Sequence, residues 1–206
     1  MKKARNTKNG GFSLVELLIA MTITLILMGV ATSLFAGALG TRTRESRKTD
    51  AITSARAALS ALSREISNSG YGLTSNGIVI GDSGEHTLHF RANLENKDYT
   101  TDSPGEDVTY FFDSATKSIV RYDPNNDPTT SVIVNRISDV KFEYFDYSGA
   151  SSTPSAPLTT PTGNTGRVTI TVMVTLEEVV GQPSEQTVTF TSDVTLRNSH
   201  YMLNQY

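Results

Sequence analysis

The chain has 206 residues, no cysteine and no tryptophan, and 18 Lys and Arg against 21 Asp and Glu, a formal net charge of −3. That length suits one medium domain plus a membrane segment and is tight for two full domains. The lack of cysteine excludes a disulfide framework, cysteine-based zinc sites and thiol chemistry.

Four cations, Lys2, Lys3, Arg5 and Lys8, lie in the first ten residues. Without residues 1–11 the Lys and Arg count falls from 18 to 14 against the same 21 acids, a net of −7. A chain so acidic is a poor phosphate-backbone binder, and no nucleic-acid partner is expected.

The stretch GGFSLVELLIAMTITL, residues 10–25, holds a single carboxylate, Glu16, and the next charge is Arg42. A hydrocarbon core of about 30 Å needs about 20 apolar helical residues, and Leu17 to Leu39 supplies them. The polar interruptions are Thr, Ser and Gly, and the Thr and Ser hydroxyls can bond back to a carbonyl one turn earlier. A signal peptide with the small residues Ala36–Ala38 as its cleavage site is too long in its apolar part. A plain anchor leaves Glu16 unexplained, because a carboxylate at a bilayer centre costs about 2.5–3.5 kcal/mol on insertion scales. Counting cations does not orient the span, since Arg42, Arg44, Arg47 and Lys48 balance the first four.

The stretch GGFSLVE, behind a basic leader and ahead of the apolar run, resembles the processing site of type IV pilins and type II secretion pseudopilins. The resemblance rests on Gly11, Phe12 and a glutamate at the fifth position after the cleavage point. It implies cleavage between Gly11 and Phe12 by an inner-membrane prepilin peptidase, with N-methylation of the new amine on Phe12. Cleavage would set a positive α-amino group four residues before Glu16, on the same helix face. In a filament, the same acid could face the amine of an adjacent subunit. Glu16 is thereby expected to form an assembly salt bridge that sets register.

From residue 41 the helix becomes amphipathic. Ile52, Ala55, Leu59, Leu62 and Ile66 step by three and four residues and form one apolar stripe, and Gly70 with Gly72 is a stop signal. A helix from Phe12 to about Ser67 would be roughly 80–85 Å long. REISNSGYG is similar to a segment of PilW-type minor pilins, and Tyr71 is expected to pack under the turn.

Short strands follow: GIVI (77–80), HTLHF (86–90), DVTYFF (107–112), SIVRY (118–122), SVIV (131–134) and ISDVKFEYFDYSG (137–149). The last again resembles PilW-type pilins and J-type minor pseudopilins. In VTITVMVTL, Val168, Ile170, Val172, Val174 and Leu176 share one face. In TVTFTSDVTL, Val188, Phe190, Val194 and Leu196 do the same, with threonines opposite. Such alternation marks an antiparallel sheet with one buried and one wet face. Residues 148–166, with three prolines and few large apolar side chains, read as a mobile, solvated loop. The tail carries an Arg197–Asn198 pair similar to the family's ending.

Chemistry is sparse. Asp123, Asn125 and Asp127 imitate the first ligands of a calcium loop, but Pro128 replaces the glycine and Val134 the closing glutamate. They are a weak metal candidate, and an Asx-rich turn explains them unaided. His86 and His89 would point to opposite faces of a strand and read as ordinary strand residues. No nucleophile motif or phosphate loop is present, so neither an enzyme nor a cofactor is expected.

The expected fold is α+β and pilin-like, a long N-terminal helix packed on an antiparallel sheet. The expected organisation is a leader (1–11), a transmembrane helix (12–40), an amphipathic helix (41–69) and a β-rich periplasmic or extracellular domain (70–206). The resemblance implies a minor pilus subunit, held single-pass in the inner membrane and then carried to the cell surface. Its implied partners are the prepilin peptidase, other pilin and minor pilin subunits, the inner-membrane assembly platform and the membrane. The missing cysteines depart from the disulfide loop common in major pilins. Alternatives are a minor pseudopilin of a type II secretion system, or an adhesin or DNA-uptake receptor using the 148–166 loop.

Overall fold

The computed structural model describes residues 12–95, 98, 100–148, 152–176 and 186–205. Two compact units divide the chain, Met1–Ser46 and Arg47–Tyr206. One helix, α1 (Leu14–Ile66), supplies elements to both. In the first unit it is exposed from Leu14 to Leu39, and no proline interrupts it.

In the second unit the apolar stripe is buried over most of its length: Ala55, Leu59, Leu62 and Ile66 face the core, joined by Ala58, while Ile52 at its start is only partly buried. Fully burying a Leu or Ile contributes about 1.5–3 kcal/mol, so Leu62 and Ile66, both at 0% exposure, anchor this half of the helix. The helix stops where glycines take over. Gly70 (φ 78°) and Gly72 (φ 67°) both adopt the left-handed region that side chains disfavour.

Among the described residues, seven strands form two antiparallel sheets. The first has the order β1 (Thr87–Arg91), β2 (Asp107–Asp113), β3 (Ser118–Tyr122), β4 (Thr130–Asn135). The second has the order β5 (Ile137–Asp146), β6 (Thr165–Thr175), β7 (Thr187–Thr195). A single residue, Arg136 at φ 61°, separates β4 from β5, and the chain changes sheet there. The alternation read from sequence is kept. Val140, Phe142 and Tyr144 on β5 are buried with Val168, Ile170, Val172 and Val174 on β6. They meet Leu88, Phe90, Val108, Tyr110 and Ile119 of the first sheet and the α1 stripe in one core.

Three local expectations are corrected. Residues 77–80 are not a regular strand: Ile78 makes an isolated bridge to Phe90, and the chain turns into a short 3₁₀ helix at Ile80–Asp82. The left-handed Gly77 and the free edge of β1 account for this, since Arg91 N–H reaches Gly77 O at 2.8 Å. Tyr71 does not pack under the turn. Its side chain is about half exposed, and the turn is held by backbone instead, with Asn93 N–H donating to Tyr71 O at 2.7 Å.

The third correction is the loop after β5, of which residues 149–151 lie outside the described residues. The remainder is pinned rather than a solvated spacer. Leu158 and Tyr144 exchange backbone hydrogen bonds at 2.9 Å each way. The Asp146 carboxylate accepts from Thr162 Oγ1 (2.6 Å) and Thr165 Oγ1 (2.8 Å). Asn76 Nδ2 donates to Thr162 O (3.0 Å) and Thr165 O (3.1 Å). Each bond satisfies a polar group that would otherwise lose water beside the sheet.

Polar ties lock the end of α1 to the sheets. Tyr110 Oη donates to Glu65 Oε2 at 2.8 Å, and Arg121 Nε donates to the same oxygen at 3.0 Å. Asn198 Nδ2 reaches Ser69 O at 3.2 Å and Asn68 O at 3.4 Å, so the tail is tied to the turn that follows α1. Burial, with the Glu65 charge adding to it, raises the Tyr110 phenol far above its ordinary range. Burial does the same for Tyr144, whose hydroxyl donates to Gly84 O at 2.9 Å.

An unfolded tyrosine ionises near pH 10. Above that pH the unfolded chain releases protons that Tyr110 and Tyr144 retain in the fold, so stability falls as pH rises. An ultraviolet titration followed beside circular dichroism should show these two phenolates appearing only as the fold is lost. Reversible ionisation of all eight tyrosines before any loss of ellipticity would contradict this.

Candidate functional site

The site begins where the helix begins. Gly11 lies outside the described residues. Phe12 is 87% exposed, and Ser13 is the last residue before α1. Ser13 O accepts the Leu17 N–H at 3.1 Å, the first bond of the helical ladder. The Glu16 side chain turns back over this turn, and Oε2 accepts the Ser13 N–H at 3.0 Å.

This is one half of a capping box, the Ser-x-x-Glu pattern in which the acid three residues into the helix satisfies an orphan N–H. A carboxylate in the first turn also faces the positive end of the helix dipole. Residues 13–16, SLVE, carry that signal in the sequence. It is legible as a capping box, a local role beside the assembly salt bridge expected of Glu16. The geometry holds the carboxylate against the backbone N–H immediately after Phe12, close to the nitrogen that cleavage would free.

Beyond Glu16 the helix presents an unbroken apolar surface through Leu39. Leu25, Leu27, Met28, Leu34 and Phe35 are all well over half exposed. Every hydroxyl in this stretch is satisfied internally. Thr22 donates to Ile19 O (2.8 Å), Thr24 to Ala20 O (2.7 Å), Thr32 to Met28 O (2.7 Å) and Ser33 to Val30 O (2.8 Å). A lipid-facing helix needs this, because hydrocarbon offers no partner to a bare hydroxyl. Gly29, Gly37 and Gly40 have open space around them, so a neighbouring helix can approach closely there. Length and composition together make this helix able to cross a membrane.

The other sequence candidates are not brought to one place. Asp123 is fully buried. Its Oδ1 accepts from Asn125 N–H (3.1 Å), and its Oδ2 from Gly105 N–H (2.7 Å) and Arg121 Nη2 (3.1 Å). Asn125 donates to Thr101 O at 2.9 Å, and Asp127 is exposed. The segment is an Asx turn around a buried ion pair. His86 Nδ1 stands 2.8 Å from Val140 O and 3.0 Å from Asp139. His89 lies between Asp82 (3.1 Å) and Asp107 (2.5 Å). Among the described residues no three His, Cys, Asp or Glu side chains are arranged to hold a metal.

Residues 6–32 match the family model described as the prokaryotic N-terminal methylation motif. The match includes Gly11, Phe12, Ser13 and Glu16 and the first half of the apolar span, and it ends before the amphipathic part of α1. No curated protein and no solved structure matches the chain. A prepilin-type methylation motif thus heads a membrane-capable helix in an α+β chain of pilin-like architecture, which supports a type IV pilin-like protein and points to a structural subunit.

Proposed function

We propose that this chain is a minor prepilin-like subunit of a type IV pilus, working in the filament or in the tip complex that initiates it. Residues 1–11 are a leader removed after Gly11 by a prepilin peptidase, and the new amine of Phe12 is methylated. Residues 12–40 hold the subunit in the inner membrane, the helix continues from residue 41 to Ile66, and residues 70–206 form the outward domain. Within that class the segments REISNSGYG and ISDVKFEYFDYSG favour a PilW-type minor pilin.

The reading is carried by one observation: the motif match over residues 6–32 coincides with an isolated acid, Glu16, folded back onto the N–H next to Phe12. Cleavage exchanges a leader bearing four cations for one α-amino cation within reach of that acid. Paired, within the subunit or with a neighbour, Glu16 is tolerated in an apolar surround. Unpaired, it is costly. The pair therefore favours extraction from lipid into a helix bundle in one register. The mechanism needs no catalytic group and no cofactor.

Fractionation of cells that express the chain with a prepilin peptidase tests this. The native chain should appear shortened in the sheared-filament fraction. Gly11→Val should stay at full length in the membrane fraction and be absent from filaments. A native chain that never accompanies filaments would overturn the reading.

A further inference from the structure

Among the described residues β7 is the last strand of its sheet, paired only with β6. Its register fixes which backbone groups are spoken for. Leu176 N–H donates to Gln186 O at 2.8 Å and Leu196 N–H to Gly166 O at 2.9 Å. In an antiparallel ladder the hydrogen-bonded residues alternate, so the even-numbered residues 186 to 196 face β6. The N–H and C=O groups of Thr187, Thr189, Thr191, Asp193 and Thr195 then point to the open edge. Among the described residues none of them takes a second partner.

Natural edges are usually blunted by Lys, Pro, bulges or a covering loop. The outer edge of β1 is covered by residues 77–79, and β5 is paired in part by Leu158. β7 has no Lys, no Pro and no register shift. Its one charge, Asp193, is engaged by Thr169 Oγ1 at 2.5 Å.

The end of this edge borders a groove. Ser60, Ser63 and Arg64 of α1 form one wall, and Asp193, Thr195 and Arg197 the other. Ser63 Oγ stands 3.1 Å from Ser192 Oγ and fixes the strand against the helix. Arg64 and Arg197 are both exposed, and neither side chain has a hydrogen-bond or ion-pair partner among the described residues. An open strand edge beside a helix-walled groove is the arrangement that accepts an added strand. Two unpaired guanidinium groups give that groove a preference for carboxylate.

We propose that the β7 edge is a docking site for an extended segment of a partner protein, which pairs with β7 and places an acidic group between Arg64 and Arg197. The site does not rest on leader processing, since every residue in it belongs to the second unit. The charge pattern selects a partner other than a second copy: the chain's own edge offers only Asp193, already engaged, and a second copy brings two more cations to the groove.

The test uses the full chain in detergent micelles and three labelled peptides: alternating Val and Thr ending in two Glu, the same ending in two Lys, and the acidic one with a central Pro. Fluorescence anisotropy should show the acidic peptide binding at least about tenfold tighter than the basic one, a difference of about 1.4 kcal/mol, and the Pro peptide failing to bind. Arg64→Glu with Arg197→Glu should reverse the charge preference. Thr189→Pro removes an outward N–H without touching the β6 ladder; it should abolish binding while circular dichroism is unchanged. Hydrogen exchange at Thr187, Thr189 and Thr191 should slow with the acidic peptide. Equal affinity for the acidic and basic peptides, or unchanged exchange along β7, would overturn the proposal. So would concentration-dependent protection of β7 without peptide, which would make the occupant a second copy.

Discussion

A chain carrying Glu16→Ala should enter the membrane and be cleaved like the native protein, yet be lost from filaments by at least about tenfold. Insertion is spared because deleting a carboxylate from an apolar helix lowers the cost of entry. The local loss is one exposed hydrogen bond to the Ser13 N–H, worth about 0.5–1.5 kcal/mol. Assembly is hit harder. Breaking a buried ion pair by removing one partner typically costs about 3–5 kcal/mol, here because the Phe12 amine would be left alone among packed helices.

Glu16→Gln separates the two roles. Its amide oxygen can still accept the Ser13 N–H, but the charge is gone. It should assemble as poorly as the alanine variant. Filament incorporation at the native level in either variant, read by immunoblot of the sheared fraction, would show that the charge is not what selects the subunit.

The second large effect is on the fold. Gly77→Ala should destabilise the second unit by roughly 3 kcal/mol or more, since a strained left-handed residue costs about 1–3 kcal/mol before any clash. Gly77 has φ +77°, and an added Cβ would lie far inside contact distance of Gly70 N and Arg91 O and 2.7 Å from Gly70 Cα. These are backbone atoms, and they join the end of α1 to β1. Gly70 N–H donates to Arg91 O at 2.9 Å, and Arg91 N–H to Gly77 O at 2.8 Å. Neither can yield without parting helix from sheet. Gly163→Ala is the control, with nothing within 4 Å of its new Cβ and an expected change within about 0.5 kcal/mol. Thermal melts of the full chain in detergent decide it: equal midpoints for the two variants would contradict the packing argument.

The elements were legible where one physical signal dominates. The three- and four-residue steps of Ala55, Leu59, Leu62 and Ile66 require a buried helix face, and that face is buried. The two-residue steps of Val168 to Val174 require a half-buried strand, and β6 is one. Ala58 was passed over because alanine is a weak apolar marker, although it completes the stripe. The division into two sheets was not legible. Periodicity reports which side of a strand is buried, not which strand lies beside it, and the chain changes sheet over the single residue Arg136.

Long-range polar bonds hid the rest. Residues 152–164 look like a spacer by composition because their anchors, Asn76 and Asp146, lie elsewhere in sequence or on the preceding strand. The Glu65–Arg121–Asp123 chain was hidden for the same reason: it joins α1 to β3 across more than fifty residues, at 3.0 and 3.1 Å. In the N-terminal segment the signal was local and chemical. Gly11, Phe12 and Glu16 stood out through the resemblance of GGFSLVE to pilin processing sites, and the matched motif covers residues 6–32. The capping role of Glu16 needed only the Ser-x-x-Glu pattern, which was present and subordinate to the question of charge.

Tandem mass spectrometry of the N-terminal peptide, taken from native filaments without prior labelling, addresses the central claim most directly. The account predicts a peptide that begins at Phe12, carries one methyl group on its α-amine and retains an unmodified Glu16. A peptide beginning at Met1, or a first residue beyond Leu39, would contradict it.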